Sequence, residues 1–182
     1  MPIPLQTLCD NIRHVASAAQ TDWGSLHPIL VHFPIVLLMI VPLFLLAGLA
    51  LSQHRSLLYA CALAVLLLGT FSLYITASSG ESAGEKLNKL PQEALATFET
   101  HYELAELTEK VFLGLSLAGI LLIFLYAIKK REMKRGREFS IWAIYLLCYI
   151  FGLIILLNTA HYGGKLVHQH HLHTSLYSKD QP

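Results

Sequence analysis

At 182 residues, 54% of them hydrophobic and only 14% charged, the chain has little length left for a second domain once its apolar stretches are counted. Its formal net charge is +1, and no basic, aromatic-rich surface suited to nucleic acid is apparent. A glycine-rich phosphate loop and a Gly-x-Ser-x-Gly motif are also absent from the sequence, so the common nucleotide-binding and α/β-hydrolase classes find no support.

Residues 1–25 are predicted to form an interfacial segment ahead of the membrane domain. Asp10 and Arg13 interrupt its apolar residues, and it lacks a basic start, a long apolar core and a small-residue cleavage site. We therefore do not expect a cleavable signal peptide. We expect a short amphipathic segment on the membrane surface, with Trp23 as an interfacial anchor.

Four apolar stretches without Asp, Glu, Lys or Arg follow, at residues 26–53, 56–80, 111–128 and 139–160, and each is about long enough to cross a bilayer as a helix. They predict an all-α, membrane-embedded four-helix bundle over residues 26–168, with spans at about 26–53, 56–80, 105–128 and 139–162. The two halves show no convincing internal repeat, and no isolated charge lies in the middle of a span. Both observations disfavour a transporter.

The first span opens with two histidines and contains prolines. Pro34 and Pro42 lack amide donors, so they should bend the helix and free a carbonyl near His32. His27 and His32 are five residues apart, which places them about 140° apart around a regular helix. His32 lies deeper in the span, and it is the histidine for which we most expect a functional role.

The third helix is predicted to begin outside the bilayer. The segment 90–93, Leu-Pro-Gln-Glu, is typical of a helix start, and an approximately helical apolar pattern continues from it into the third span. His101, Ala105, Thr108 and Phe112 then share one stripe of the helix. An alanine one turn after a histidine leaves room for a flat ligand, whereas a solvated helix with glutamates around His101 is the alternative interpretation.

The fourth span ends in His161, followed by paired glycines and then His168. Paired glycines suit either a helix terminus or a place where another group approaches the backbone. If the helix continues, the two histidines share a face; if it stops at Gly163, His168 belongs to a surface loop. Residues 169–182 form a His-rich polar tail, which we interpret as solvated and at most weakly metal-binding.

The loop between the third and fourth spans predicts the orientation. Residues 129–138 contain six Lys and Arg residues in ten, whereas Lys and Arg are dilute in the other connections. Basic loops stay on the cytoplasmic side, so both termini and most histidines are expected on the periplasmic side of a bacterial cytoplasmic (inner) membrane.

Several motifs resemble a bacterial membrane family catalogued as domain of unknown function 2231. They are the His-Pro-x-x-x-His-Phe-Pro-Ile opening of the first span, the stretch 79–81, the helix that carries His101, and the terminal Gly-Gly-x-Leu-Val. The resemblance covers about Leu26 to His168 and implies no specific activity. Related domains resemble modules fused to or encoded beside c-type cytochromes, which implies a place in respiratory electron transfer.

We predict one b-type haem near the outer leaflet. Non-covalent haem needs axial nitrogen ligands from facing helices, an apolar slot with small residues, and cations for its propionates. The candidate ligands are His32, His101, His161, His168 and His27. The candidates for the slot and the propionates are Ala105, Gly114, Gly163, Lys110 and Lys165. Such a subunit would link quinol to a periplasmic c-type cytochrome or a larger respiratory complex.

Two other interpretations stay open. Imidazole and carboxylate side chains could bind zinc, copper or iron, although no close-spaced motif sets a geometry. The candidates for that metal site are His32, His101, His161, His168, Glu81 and Glu106. Alternatively, the histidines form a hydrogen-bonded polar layer without a cofactor, and the protein is an accessory subunit whose small residues allow close helix packing.

Overall fold

The computed structural model describes residues 5–85, 87, 90–129 and 134–172, and the regular structure within these ranges is entirely helical. In chain order the elements are α1 (Leu5–Thr21), a 3₁₀ turn (Trp23–Leu26), α2 (His27–Leu30), α3 (His32–Ala50), α4 (Arg55–Gly84), α5 (Gln92–Lys129) and α6 (Arg135–His168). Within the described ranges, four stretches are long and apolar enough to cross a membrane, namely Trp23–Ala50, Arg55–Gly84, Gln92–Ile128 and Arg135–His168. The predicted all-α, four-span architecture is confirmed.

The four spans form a closed ring of helices. α3 packs against α4 and α5 against α6, while contacts of α4 with α5 and of α3 with α6 complete the ring. The first span and α5 are therefore diagonal to each other. The centre is filled by buried apolar and aromatic side chains, including Leu38, Leu45, Leu66, Phe112 and Tyr149. Large apolar side chains also cover the outside, as expected of a surface that contacts lipid rather than water.

Three of the spanning helices extend beyond the apolar stretches. α4 runs to Gly84, and α5 begins at Gln92, well before the apolar part of the third span. α6 continues through Gly163 and Gly164 to His168, so these glycines do not end the helix. Helix hydrogen bonds do not depend on side-chain polarity, which is why hydropathy predicts the apolar stretch and not the helix end. Residues 173–182 of the predicted polar tail lie outside the described residues.

The N-terminal helix α1 is amphipathic and almost entirely exposed. Leu5, Leu8, Ile12 and Val15 recur at helical spacing and are all exposed, whereas Ala18 is buried. The helix packs on the 3₁₀ turn that leads into the first span. An exposed apolar stripe beside a membrane span is typical of a helix that lies in the bilayer interface.

Pro34 has the predicted effect on the first span. Its missing amide leaves the carbonyl of Leu30 without a helical donor. The hydroxyl of Thr76 on α4 donates a hydrogen bond to that carbonyl at 3.2 Å. The helix also breaks at Val31, between α2 and α3. The freed carbonyl thus becomes a contact between the first two spans.

Pro42 creates a second unpaired carbonyl, at Leu38, and the buried hydroxyl of Tyr149 donates to it at 2.9 Å. Tyr149→Phe is expected to lower the free energy of unfolding by about 1–3 kcal/mol, because the buried carbonyl loses its remaining partner. The matched control is Tyr145→Phe, whose hydroxyl donates to the Leu115 carbonyl at 2.9 Å. That carbonyl keeps its own helical amide donor. Denaturant titration in detergent should show the larger loss for Tyr149→Phe, and equal losses would contradict this account.

The end of the bundle remote from the long α5 extension is closed by an ion pair and an aromatic stack. Arg55 at the start of α4 and Glu138 at the start of α6 are 2.7 Å apart, and both side chains are largely buried. One turn further on, the rings of Tyr59 and Trp142 stack with centroids 3.8 Å apart and an interplanar angle of 16°. These contacts join α4 to α6 across the ring of helices.

Candidate functional site

A cavity of about 710 Å³ lies at the opposite end of the bundle, where the first span begins and α6 ends. This volume falls within the range of about 300–1,000 Å³ that is common for ligand and cofactor sites. Its walls are mostly apolar and come from the 3₁₀ turn, α2, α4, α5, α6 and the residues that follow α6. His27 and His101, on two diagonal helices, both line it.

His27 is held by the backbone of α4. Its Nδ1 atom lies 3.0 Å from the carbonyl oxygen of Thr76 and 3.1 Å from the hydroxyl oxygen of Ser79. A carbonyl oxygen can only accept, so Nδ1 carries the hydrogen. In the neutral imidazole, Nε2 is then an unprotonated acceptor, the form that binds a metal or accepts a hydrogen bond. Anchoring one ring nitrogen on a carbonyl in this way is typical of metal-ligating histidines.

His101 is held by α6 in the same manner. Its Nδ1 atom donates to the carbonyl oxygen of Thr159 at 2.9 Å, which again leaves Nε2 as the acceptor of the neutral ring. Ala105, one turn further along α5, also lines the cavity. Thr108 and Phe112 continue the predicted stripe and are buried. The stripe therefore faces the interior, and the alternative of a fully solvated His101 helix is not what the structure shows.

The two threonines make equivalent contacts through their hydroxyl groups as well. Thr76 donates to the carbonyl of Leu30 at 3.2 Å, and Thr159 donates to the carbonyl of Leu104 at 3.1 Å. Each carbonyl belongs to the residue three positions after a cavity histidine. Each threonine thus joins its helix to the histidine-bearing helix twice, once by its backbone oxygen and once by its side chain.

A glycine lies beside each imidazole. A Cβ atom built on Gly80 would come within 2.9 Å of Cε1 of His27, and one built on Gly163 would come within 3.1 Å of Cε1 of His101. Both approaches are closer than ordinary van der Waals contact. Each ring can therefore occupy its position only because the neighbouring glycine has no side chain. The threonine and glycine belong to the same local sequence, Thr-Ala-x-x-Gly, at residues 76–80 and 159–163.

The repeat continues along the bundle and corrects the expectation that the two halves are unrelated. Gly69 packs on the first span, and Gly152 packs on α5. The residues of α5 that Gly152 contacts are equivalent to residues of the first span that Gly69 contacts. Tyr59 and Trp142, which stack on each other, are also equivalent, because each lies 17 residues before its Thr-Ala-x-x-Gly motif. Each half is therefore one helical hairpin, and the two hairpins place equivalent residues around an approximate two-fold axis along the bundle.

We expect Gly80→Ala and Gly163→Ala to displace the imidazoles and to weaken binding of a ligand between them. Both substitutions raise helix propensity, so global stability should change little or rise. The matched control is Gly164→Ala, because a Cβ atom at Gly164 meets nothing within 4 Å. Hemin titrations followed by absorbance should show a loss of about 10–100-fold in affinity for the first two variants, as when a metal ligand loses its orientation. Equal affinity for all three variants would contradict this role of the glycines.

The other candidate histidines lie away from the cavity. His32 is exposed on the outside of α3, on a different face of the first span from His27, as expected for residues five positions apart. His161 and His168 are exposed on α6, and the continuation of that helix does not turn them inward. The structure thus brings together two of the five candidate ligands, His27 and His101.

The candidate cations are also engaged elsewhere. Lys110 forms an exposed ion pair with Glu106 at 2.6 Å, and the ammonium group of Lys165 lies 4.6 Å from the centre of the Tyr162 ring. Gly114 is exposed and faces open space, so it does not shape the cavity.

Four acidic residues line the cavity, and no Lys or Arg is among the lining residues in the described part of the chain. The acids are Asp22, Glu81, Glu106 and Glu109. Across the described ranges, no three His, Cys, Asp or Glu side chains are grouped so that they could hold a metal ion. The histidines, and not a carboxylate cluster, are therefore the ligating groups that the cavity offers.

The partners of the histidines could not be identified from the sequence alone, although one signal was available. Thr76, Ser79 and Thr159 contact the imidazoles through atoms that only the packed helices bring close. The repeated Thr-Ala-x-x-Gly motif, once near the end of the second span and once at the end of the fourth, was the available signal. A match of five residues is short. It indicates a repeated structural unit only when the histidine that each copy contacts is known.

The spans and the cavity define a multi-pass helical membrane protein with a histidine pair at one end of its bundle. A family model described as predicted membrane protein, DUF2231, matches residues 24–176, and the chain belongs to this family. The matched range includes both cavity histidines and both Thr-Ala-x-x-Gly motifs. No curated protein and no solved structure matches the chain significantly.

Proposed function

We propose that this protein is a membrane electron-transfer subunit that binds one b-type haem in the cavity between His27 and His101. The observation that carries the proposal is the pair of anchored imidazoles, each of which has Nδ1 on a carbonyl oxygen and lines the same cavity. Imidazole is a common axial ligand of haem iron, and cofactor sites in helical bundles are built from facing helices. Bound haem supplies a reversible one-electron carrier.

The residues of the cavity fit a large, flat and mostly apolar cofactor. The volume of about 710 Å³ is ample, and the walls include the small residues Ala77, Ala105 and Gly163 as well as the aromatic ring of Phe98. The two glycines beside the imidazoles keep side chains out of the space next to each ring. A small ion alone would leave most of this apolar volume unfilled.

The acidic residues that line the cavity affect where the propionate groups of a bound haem would lie. Propionates are anionic, and the carboxylates of Glu81, Glu106 and Glu109 repel them in a cavity of low dielectric constant. The propionates of a bound haem would therefore lie at the mouth of the cavity, where water screens the repulsion. The acids would also favour the more positively charged, oxidised state of the iron and so lower the reduction potential.

The interpretation as a bare metal site receives less support from the same residues. Zinc and comparable ions take three or four protein ligands, and among the described residues no third ligand is grouped with the two histidines. A cofactor-free accessory subunit gives no reason for two imidazoles that are anchored in the same way beside one mostly apolar cavity. These considerations favour haem over both alternatives.

We place the protein in a bacterial cytoplasmic membrane, with the cavity and both termini at the periplasmic side. The support is the basic density of the loop between α5 and α6, of which residues 130–133 lie outside the described residues. A haem at that side could accept electrons from quinol in the bilayer and pass them to a periplasmic cytochrome or a larger respiratory complex. One haem near one surface cannot by itself carry electrons across the membrane.

Titration of the purified apoprotein with hemin tests this proposal. We expect saturable binding with an end point of one hemin per chain and a b-type absorbance spectrum. His32→Ala should leave the titration unchanged, because His32 lies outside the cavity. Non-saturable, detergent-like partitioning of hemin would contradict the proposal.

A further inference from the structure

We infer that His27 and His101 are equivalent axial ligands, so that a haem in this cavity is six-coordinate and closed to carbon monoxide and other external ligands. The inference rests on the proposed function and adds the coordination state of the iron. It also separates electron transfer from gas binding or oxygen chemistry, both of which require an open axial position.

The position of the two helices supports ligation from two sides. His27 begins α2 in the first span, and His101 lies on α5. Within the described residues, neither α2 nor α3 packs against α5; both pack on α4, and α3 also packs on α6. The histidine-bearing helices are thus diagonal in the ring, and the cavity that both imidazoles line lies between them.

The contacts of the two histidines support equal roles. The Nδ1 to carbonyl distances are 3.0 Å for His27 and 2.9 Å for His101. The threonine hydroxyl bonds that fix the histidine-bearing backbones are 3.2 Å and 3.1 Å long. Each ring lies against a glycine of the same motif. Each hairpin therefore supplies one anchored imidazole. The two anchors differ in one contact, because Nδ1 of His27 also lies 3.1 Å from the hydroxyl oxygen of Ser79, and the residue equivalent to Ser79 in the second motif is Tyr162.

The protonation of the two rings also supports ligation by both. Nδ1 of each ring donates to a carbonyl oxygen, so Nε2 is the nitrogen of each neutral ring that can bind iron. Thr76 and Thr159 are positioning residues in this arrangement, since they hold the rings and do not touch the ligand space with their hydroxyl groups.

Spectroscopy of the hemin-loaded full-length protein tests the inference. We expect a low-spin ferric signal by electron paramagnetic resonance, and no carbon monoxide difference spectrum after reduction with dithionite. A high-spin ferric signal, or prompt carbon monoxide binding to the reduced wild-type protein, would overturn the inference while leaving haem binding intact. Failure to retain any hemin would instead overturn the proposed function.

Single substitutions test the equivalence of the two ligands. At saturating hemin, His27→Gly and His101→Gly should each give a high-spin haem that binds carbon monoxide, and added imidazole should restore the low-spin spectrum of both. The control, His32→Ala, should keep the wild-type spectrum because that side chain is exposed outside the cavity. A change of spin state in only one of the two glycine variants would show that the sites are not equivalent and would overturn the inference.

Discussion

His27→Ala and His101→Ala are each expected to reduce hemin affinity by at least about 10–100-fold, the loss that follows when a metal ligand merely loses its supporting partner. The reason is that each substitution removes one anchored nitrogen from a cavity whose described lining offers no other histidine. Titration of the purified variants with hemin measures the effect, with retention on size-exclusion chromatography as the check that the bundle is folded.

Two exposed histidines provide the matched controls for this experiment. His32→Ala and His161→Ala remove the same side chain from the outside of the first and fourth spans. Both should bind hemin as the wild type does. If His32→Ala weakened binding as much as His27→Ala, the site would lie on the outer face of α3 and the assignment of the cavity would be wrong.

Arg55→Leu is expected to be the most destabilising single change at the other end of the bundle. It leaves the carboxylate of Glu138 largely buried without its partner, which is 2.7 Å away in the native protein. Removing one member of a buried ion pair typically costs about 3–5 kcal/mol, because the remaining charge stays desolvated. Denaturant titration in mixed micelles measures the change in the free energy of unfolding.

The double variant Arg55→Leu/Glu138→Leu separates lost pairing from an unpaired buried charge. The pair is incompletely satisfied, since Nε of Arg55 and Oε1 of Glu138 have no hydrogen-bond partner among the described residues. Replacing a buried ion pair by apolar side chains is often neutral or stabilising. We therefore expect the double variant to recover most of the stability that Arg55→Leu loses. A double variant as unstable as the single one would show that the pair stabilises the bundle directly.

The sequence was sufficient to predict the spans and the effects of the prolines. Each span is a continuous apolar stretch, and the bilayer imposes a minimum length on it. Proline acts through its own missing amide, so the carbonyl that Pro34 frees could be expected from the first span alone. The helix that passes through Gly163 could not be predicted, because glycine is compatible with both a helix and its end.

The sequence near each histidine does not show which histidines line the cavity. His32 lies deeper in the span than His27, and depth in the membrane by itself favours His32. The structure shows that the rotation of the first span about its axis determines which of its histidines lines the cavity. His32 faces outward, whereas Thr76 of another helix holds His27. Rotation is set by the packing of all four helices, including the Leu38 and Tyr149 contact, and no single helix determines it.

The measurement that tests the central claim most directly is the absorbance spectrum of the detergent-purified protein from cells supplied with haem. It should be recorded oxidised and dithionite-reduced, with a pyridine haemochrome assay on the same sample. We expect a b-type spectrum and about one haem per chain. A spectrum without a Soret band, from folded protein made with sufficient haem, would contradict the claim that the His27 and His101 cavity is a haem site.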